Sequence, residues 1–171
     1  MLDDKNILIT GGTGSFGRNF VKTILTNYKP NKLIIYSRDE LKQYDMQHDP
    51  SLSKFFDNET LRYFIGDIRD LPRLKMAMDN DISYVVHAAA LKQVPTAEYN
   101  PFEAVKTNVV GGQNVIDASI HCGVKKVIAL STDKACSPIS LYGATKLVSD
   151  KLFVSANNYI GTNDVKFSVV R

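Results

Sequence analysis

Six short runs of apolar and β-branched residues recur along the chain, separated by longer mixed segments. Runs of this length and composition are typical of β-strands. Within each run the apolar residues are nearly continuous, which indicates strands covered on both faces of a sheet. The predicted strands are Asn6–Thr10, Lys32–Tyr36, Leu61–Ile65, Ser83–His87, Lys126–Leu130 and Lys166–Val170.

Between the strands, apolar residues recur at the three- and four-residue spacing of a helix with one buried face. The predicted faces contain Phe16, Phe20, Ile24 and Leu25, then Leu71, Leu74 and Met78, then Val105, Val109, Val115 and Ile116. Helices that alternate with strands predict parallel βαβ units. We therefore predict an α/β fold, a doubly wound parallel sheet with helices on both faces. The least regular stretch, Gln43–Asn58, is expected to form a helix end and a loop.

The length of 171 residues predicts one globular domain over residues 1–171. A net charge of +3 is spread along the chain, whereas nucleic-acid-binding proteins usually carry a clustered basic face. No apolar run approaches the about 20 residues of a membrane span, and the N-terminus lacks a signal-peptide pattern. We expect a cytoplasmic protein with no nucleic-acid or membrane partner.

The cysteines and histidines do not form a metal-binding pattern. Cys122 and Cys136 have neither a C-x-x-C spacing nor a nearby histidine pair, which is typical of reduced thiols in the cytosol. His48 and His121 are isolated, and His87 is expected to be a buried strand residue. We predict no metal site.

The chain ends in the letters VKFSVVR, a strand pattern with no polar tail. Domains rarely end on the last residue of a buried strand, because termini usually lie in exposed segments. The pattern therefore favours a fragment of a longer protein.

A glycine-rich turn follows the first predicted strand and precedes the first predicted helix. Gly11, Gly14 and Gly17 follow a G-x-x-G-x-x-G spacing. In this context such glycines permit a tight turn, the approach of a pyrophosphate and close helix packing. The helix N-terminus then favours the anion. The turn predicts a dinucleotide site; the alternative is a strand–helix turn without a ligand.

The end of the second strand bears on the choice of dinucleotide. A free ribose 2′-hydroxyl is usually bound by a carboxylate at this place. The chain instead offers Ser37 and Arg38 first, with Lys42 four residues after the arginine. A guanidinium suits a 2′-phosphate, so we predict NADP rather than NAD. Asp39 keeps NAD open, and a solvated surface charge is the alternative for Arg38.

Later strand ends offer further cofactor contacts. Asp67 could accept a hydrogen bond from an adenine amino group beside Ile68, or it could cap the next helix; the two alternatives carry equal weight. Ala88 begins an Ala-Ala-Ala stretch that lets the backbone run beside a cofactor, and Lys92 follows where the chain leaves the sheet.

Candidate acid–base chemistry follows the fifth strand. The letters STDK come directly after it, and Tyr142 and Lys146 are four residues apart, so they share one face if helical. An ammonium beside a phenol favours the phenolate, which makes Tyr142 a candidate proton acceptor. Lys146 could also hold a nicotinamide ribose. The alternative is an amphipathic helix with an exposed lysine.

Several segments together resemble a known superfamily. They are TGGTGSFG, YSRDELK, GDIRDL, HAAALKQVPTAEYNP, KTNVVGG, ALSTDKA and LYGATKL. The whole chain resembles the N-terminal part of an extended short-chain dehydrogenase/reductase with a Rossmann fold. Within it, the chain is most similar to UDP-N-acetylglucosamine 4,6-dehydratases that invert C5 on the way to pseudaminic acid, a sugar of bacterial flagellin.

The resemblance implies roles for particular residues. Lys134 would be the base at C5, Asp133 the acid at O6 and Tyr142 the base at the C4 hydroxyl, with Thr132 bonded to the C4 oxygen and Lys146 beside Tyr142. Retaining relatives carry glutamate where this chain has Lys134, and some relatives have methionine in place of Tyr142. The implied cofactor site also includes Thr13, Ser15, Phe16, Glu40 and Leu41.

The resemblance also implies features beyond the site. The cofactor would be NADP, the substrate UDP-N-acetylglucosamine, and the full-length enzyme a homo-oligomer. A C-terminal substrate lobe would be largely absent from these residues, so the fragment itself could be inactive. Two alternatives remain: a nucleotide-sugar 4-epimerase or 4-reductase, and a non-catalytic NADP-binding domain.

Overall fold

Six parallel strands form one sheet in the computed structural model, which describes residues 1–53, 55 and 59–171. The strands are β1 (Asn6–Thr10), β2 (Lys32–Ser37), β3 (Leu61–Ile65), β4 (Tyr84–His87), β5 (Lys126–Leu130) and β6 (Lys166–Val170). Their order in the sheet is β3-β2-β1-β4-β5-β6, which confirms the predicted doubly wound parallel fold. Strand β2 runs one residue further than predicted because Ser37 pairs with Ile65, and β4 begins one residue later, at Tyr84.

Helices connect the strands. They are α1 (Ser15–Asn27), α2 (Glu40–Gln47), α3 (Leu71–Met78), α4 (Val94–Tyr99), α5 (Pro101–Val105), α6 (Gly111–His121) and α7 (Leu141–Ala156). A π-helical turn, Lys106–Val110, joins α5 to α6, and a 3₁₀ turn, Asp133–Ala135, precedes α7. The predicted helix end after Gln43 is present, and residues 54 and 56–58 of the predicted loop lie outside the described residues.

The two faces of the sheet bury two separate apolar clusters. One contains Leu8 and Val85 together with Phe153 of α7. The other contains Ile9 and residues of α1 and α2, because neighbouring residues of a strand point to opposite faces. Both faces are therefore covered, as the continuous apolar strands predict. The packing fixes the carboxyl ends of the strands as one exposed edge.

Two of the predicted helix faces differ in detail from the structure. Phe16, in the first turn of α1, is 47% exposed. Val105 and Val109 are only partly buried, since the π-helical turn adds a residue and rotates the face. Val115 and Ile116 are fully buried, as predicted.

The described residues contain no membrane-spanning helix, no metal-binding cluster and no disulfide. None of their helices has the length and apolar character needed to cross a bilayer. No group of three or more His, Cys, Asp or Glu among them could hold a metal ion. Cys122 and Cys136 are free thiols, the first half-buried and the second exposed.

Candidate active site

A cleft of about 390 Å³ opens at the carboxyl ends of the strands. It includes the ends of β1, β2 and β4, where the strand order reverses. In open α/β sheets, ligands bind at this edge and at this reversal. We call it the strand-end cleft.

Most of the predicted cofactor residues border the strand-end cleft. They are Gly11, Thr13, Gly14, Ser15, Phe16, Gly17, Ser37, Arg38, Asp39, Lys42, Asp67, Ile68, Ala88, Lys92, Tyr142 and Lys146. Glu40 and Leu41 do not border it; they are exposed in the first turn of α2. The structure therefore brings together residues from five separate segments and leaves out two that follow Asp39.

The glycine turn leaves the start of α1 open. Gly11 has φ +67° and lies so close to Ala89 that a Cβ would be 2.8 Å from its backbone. A Cβ on Gly17 would collide with the backbone of Gly12, so Gly17 packs against the turn rather than against the sheet. No side chain caps α1, and its first turn has no acidic residue. Free N–H groups at such a terminus attract an anion.

Ser37 lies at the part of the cleft where the sequence predicts the adenosine ribose, at the end of β2. The Ser37 and Thr13 hydroxyls lie 2.8 Å apart, which ties β2 to the glycine turn. Asp39 caps α2 by accepting from the Lys42 backbone N–H at 3.0 Å, and its carboxylate lies 2.9 Å from the Lys42 ammonium. These hydrogen bonds and that charge hold the pKa of Asp39 below its ordinary value. Arg38 stays half-exposed at the cleft.

Asp67 does not cap a helix. Asp70 caps α3 instead, by accepting from the Arg73 backbone N–H at 3.0 Å. Of the two alternatives for Asp67, the helix cap is therefore wrong. Its carboxylate is held at the cleft by the Arg69 side chain, with Nη2 at 2.7 Å and Nε at 2.9 Å from Oδ2.

Tyr142 and Lys146 share the face of α7 that closes the other end of the cleft, which confirms the predicted geometry. Tyr142 is 9% exposed and Lys146 is 4% exposed. Lys146 Nζ donates to the Leu130 carbonyl at 2.7 Å, so it is fixed to the end of β5. Burial lowers the pKa of the Lys146 ammonium, and the Asp150 carboxylate one turn later opposes that shift.

The Thr-Asp-Lys segment lies beside the cleft rather than among the residues that border it. Thr132 caps the 3₁₀ turn by accepting from the Lys134 backbone N–H, and its hydroxyl donates to Asp133 at 3.0 Å. The side chains of Asp133 and Lys134 are 85% and 53% exposed and lie 3.5 Å apart. The Lys134 carbonyl packs so closely on Gly143 that a Cβ there would collide with it. The turn is thus seated beside Tyr142.

His87 is a buried part of the cleft's support, as predicted. Its side chain packs on Phe153 with ring centroids 5.4 Å apart, and its Nδ1 lies 2.8 Å from the Thr10 hydroxyl. Burial, with a smaller effect of the Lys146 charge, lowers the pKa of His87 to about 3. The imidazole is therefore neutral in the folded chain at ordinary pH.

We expect the buried His87 to make the fold sensitive to acid. As pH falls through about 6.5, the imidazole takes up a proton in the unfolded chain but not in the folded one. The unfolded state then binds more protons, so the free energy of unfolding decreases. Urea unfolding at about pH 7 and about pH 5 should show a smaller decrease for His87→Gln than for the parent. The exposed His121→Gln is the control; equal decreases in all three would contradict the expectation.

Comparison with known proteins is consistent with this geometry. The family described as "Polysaccharide biosynthesis protein" matches residues 7–171. The chain belongs to this family. It is 63% identical over all 171 residues to the inverting UDP-N-acetylglucosamine 4,6-dehydratase of Campylobacter jejuni, of which it covers 49%. This confirms the resemblance inferred from the sequence.

Other matches of this family member include a relative named for a different activity, UDP-glucose 4-epimerase, and a solved structure. A UDP-glucose 4-epimerase of Rickettsia felis is 46% identical over 91% of the chain and 44% of its own length. The X-ray structure of Pen from Bacillus thuringiensis is 44% identical in sequence and superposes with a TM-score of 0.92. The match covers 100% of this chain and 50% of the length of Pen. The chain spans about half the length of the curated relatives it matches.

Asn108 is a cleft-supporting residue that the sequence reasoning missed. In this family member it lies in the π-helical turn and is 2% exposed. Its side chain accepts from the Leu91 N–H at 2.8 Å and donates to the Leu91 carbonyl at 2.9 Å and to the Thr145 hydroxyl at 3.0 Å. It thereby joins the segment after β4 to α7. An asparagine inside an apolar helical stretch was the available signal.

Asn108→Ala is expected to lower the free energy of unfolding by about 2–4 kcal/mol, because it leaves buried backbone groups of Leu91 without their partner. Asn114→Ala is the matched control, since Asn114 makes one such bond, to the Ile68 carbonyl, and should cost about 1 kcal/mol. Urea unfolding measures both. Equal losses would show that Asn108 does not join the two segments in the way described.

Ser131, unlike its neighbours Thr132 to Lys134, does border the cleft. Its hydroxyl donates to Asp150 Oδ2 at 2.5 Å, and Arg171 Nη2 lies 3.2 Å from the same oxygen. Asp150 is 7% exposed. The ends of β5 and β6 are therefore tied to α7 directly below Lys146.

Proposed function

We propose that this chain is the dinucleotide-binding part of a UDP-N-acetylglucosamine 4,6-dehydratase that inverts C5 and uses NADP. The observation that carries the proposal is the position of the Thr132–Lys134 turn, which lies beside the strand-end cleft. Its Lys134 backbone packs on Gly143, directly after Tyr142, so the turn that carries one candidate base lies beside the strand-end cleft, next to the helix turn that carries the other. The 63% identity to an inverting dehydratase supports the same assignment.

The cleft residues suit a dinucleotide. The uncapped start of α1 offers free N–H groups to a pyrophosphate, and at Gly11 a Cβ would meet the Ala89 backbone. Asp67 and Ile68 would hold the adenine, Arg38 and Lys42 the 2′-phosphate, and Lys146 the nicotinamide ribose. When bound, NADP would supply a hydride acceptor for C4 and a hydride donor for C6, so that no net oxidation occurs.

Four side chains would move or orient protons. Tyr142 takes the proton of the C4 hydroxyl, and Lys134 takes the C5 proton. Asp133 gives a proton to the departing C6 hydroxyl, which leaves as water. Thr132 hydrogen-bonds the C4 oxygen. A lysine suits the base role only when it loses its proton, which desolvation by a covering substrate favours.

The acid role of Asp133 makes a similar demand on the site. The hydrogen bond from Thr132 and the nearby Lys134 ammonium hold the pKa of Asp133 below its ordinary value. A carboxyl gains proton-donor character when water is excluded, because burial disfavours its charged form. Since the side chain of Asp133 is 85% exposed, a substrate that covers the turn would supply that change.

Incubating the full-length protein with UDP-N-acetylglucosamine and NADP tests the function. We expect a UDP-linked 4-keto-6-deoxy sugar with inverted C5, detected by mass spectrometry and proton NMR. A C4 epimer would instead favour the epimerase alternative. In a parallel incubation with NADPH and a UDP-linked 4-keto sugar, formation of a 4-hydroxy sugar would favour a reductase. A bound but unchanged nucleotide sugar would favour a non-catalytic domain.

We also propose that the full-length enzyme works in the cytoplasm as a homo-oligomer and serves pseudaminic acid synthesis for flagellin. The free thiols of Cys122 and Cys136 suit a reducing compartment. The family description, polysaccharide biosynthesis, supports a role in making sugar precursors. Size-exclusion chromatography with light scattering tests the oligomer, and a monomer at working concentration would contradict it.

A further inference from the structure

Arg69 makes the strongest contacts to the cleft carboxylate Asp67. Its Nη2 and Nε both donate to Asp67 Oδ2, at 2.7 and 2.9 Å, and its backbone N–H donates to Oδ1 at 2.9 Å. Arg38 also reaches Oδ2, but only at 3.4 Å. Two arginines thus compete for one carboxylate, and Arg69 has nearly all of the short bonds.

Arg69 is anchored on its other side as well. Its Nη1 lies 2.5 Å from the Glu103 carboxylate, which lies 3.0 Å from the Lys106 ammonium. Lys106 in turn lies 4.7 Å from the centre of the Phe102 ring. The Arg69 side chain is 33% exposed, against 51% for Arg38. Arg69 is therefore fixed between β3 and α5, while Arg38 is held loosely and borders the cleft.

The charges around this end of the cleft show why it matters that Arg69 is fixed and Arg38 is not. Of the two cations that border it, Lys42 is paired with Asp39 at 2.9 Å. Arg38 remains available to an anion only if Asp67 is satisfied elsewhere. Without Arg69, Asp67 would draw in Arg38 and would also repel a nearby phosphate, since both effects act at a few ångströms. Arg69 removes both obstacles.

We propose that Arg69 is a specificity-determining positioning residue: by holding Asp67, it leaves Arg38 with only a 3.4 Å contact to that carboxylate, open to a ribose 2′-phosphate, and so favours NADP over NAD. The inference rests on the proposed function, because it assumes that the strand-end cleft binds a dinucleotide. Arg69 itself does not border the cleft and acts through Asp67. Its replacement should therefore weaken NADP binding more than NAD binding.

The test is the ratio of the dissociation constants for NAD and NADP, measured by calorimetry on the full-length protein. Arg69→Gln is expected to weaken NADP binding roughly tenfold and NAD binding less than roughly threefold, the scale of one charge-assisted contact. Adding Asp67→Asn to Arg69→Gln should bring the ratio back towards the parent value, because the competing carboxylate is gone. A purely structural role would weaken both nucleotides alike.

Arg73→Gln is the matched control, because Arg73 lies nearby in α3 but bonds the Ile65 carbonyl instead of Asp67. It should leave the ratio unchanged. If Arg69→Gln does not fold, Arg69→Met replaces it, since methionine has a similar length but neither the charge nor the hydrogen-bond donors of arginine. A folded Arg69 variant with an unchanged ratio would overturn the inference.

The parent protein separates the two proposals. If it binds NADP more tightly than NAD, the cofactor assignment stands whatever the Arg69 variants do. If it binds NAD as well as NADP, or binds neither, the cofactor assignment itself is wrong and the role of Arg69 goes with it. A preference that is lost in Arg38→Gln but kept in Arg69→Gln would contradict only the role of Arg69.

Discussion

Lys134→Ala in the full-length protein is expected to lower turnover of UDP-N-acetylglucosamine by about 10²–10⁴-fold, the usual contribution of a positioned base. The sugar should stall after oxidation at C4, because nothing then removes the C5 proton. Quenched single-turnover samples should contain a 4-keto sugar that keeps its C6 hydroxyl. NADP affinity should not change, since Lys134 does not border the strand-end cleft.

Two further variants serve as a control and as a test of the candidate acid. Lys126→Ala removes an exposed lysine from the opposite end of β5 and should leave turnover unchanged. Asp133→Asn should also slow water loss, because an amide cannot give a proton to the departing hydroxyl. Normal turnover in Lys134→Ala would show that the amine is not the base and would remove the main support for this mechanism.

Tyr142→Phe should have an effect of similar size, about 10²–10⁴-fold, but at an earlier step. Without the phenol oxygen, the C4 hydroxyl keeps its proton and no 4-keto sugar should form. The ring remains to pack against Ala97 and Ala104, the other members of its buried cluster, so the free energy of unfolding should change little.

The products of Tyr142→Phe and Lys134→Ala should therefore differ, since one blocks oxidation at C4 and the other blocks loss of water. Mass spectrometry of quenched reactions distinguishes them: only the lysine variant should contain a sugar lighter by two hydrogens. The contrast depends only on which proton each side chain takes. The same stalled species in both variants would show that the two residues do not act in separate steps.

Local patterns in the sequence were enough to predict the layout of the site. The strands, the glycine turn and the shared face of Tyr142 and Lys146 all follow from spacings of a few residues, and the structure confirms them. Periodicity works here because a strand buried on both faces and a helix buried on one leave different repeats. The strand ends also located the cleft, because parallel strands bring their carboxyl ends to one edge.

The contacts that were missed join residues far apart in the chain. Asn108 reaches Thr145 across 37 residues, Arg69 reaches Glu103 across 34, and Ser131 reaches Asp150 across 19. No local repeat marks such pairs, since each partner alone looks like an ordinary polar residue. Only the packed structure could show which of them meet.

By itself, the sequence determined the fold class, the edge that carries the cleft and most of the residues around it, because these depend on short-range periodicity and on the geometry common to parallel sheets. The tertiary structure alone decided that Asp67 is held by Arg69, that Asp70 caps α3, and that the Lys134 turn is seated on Gly143 beside the cleft. These arrangements depend on distances between segments, which packing sets and spacing along the chain does not.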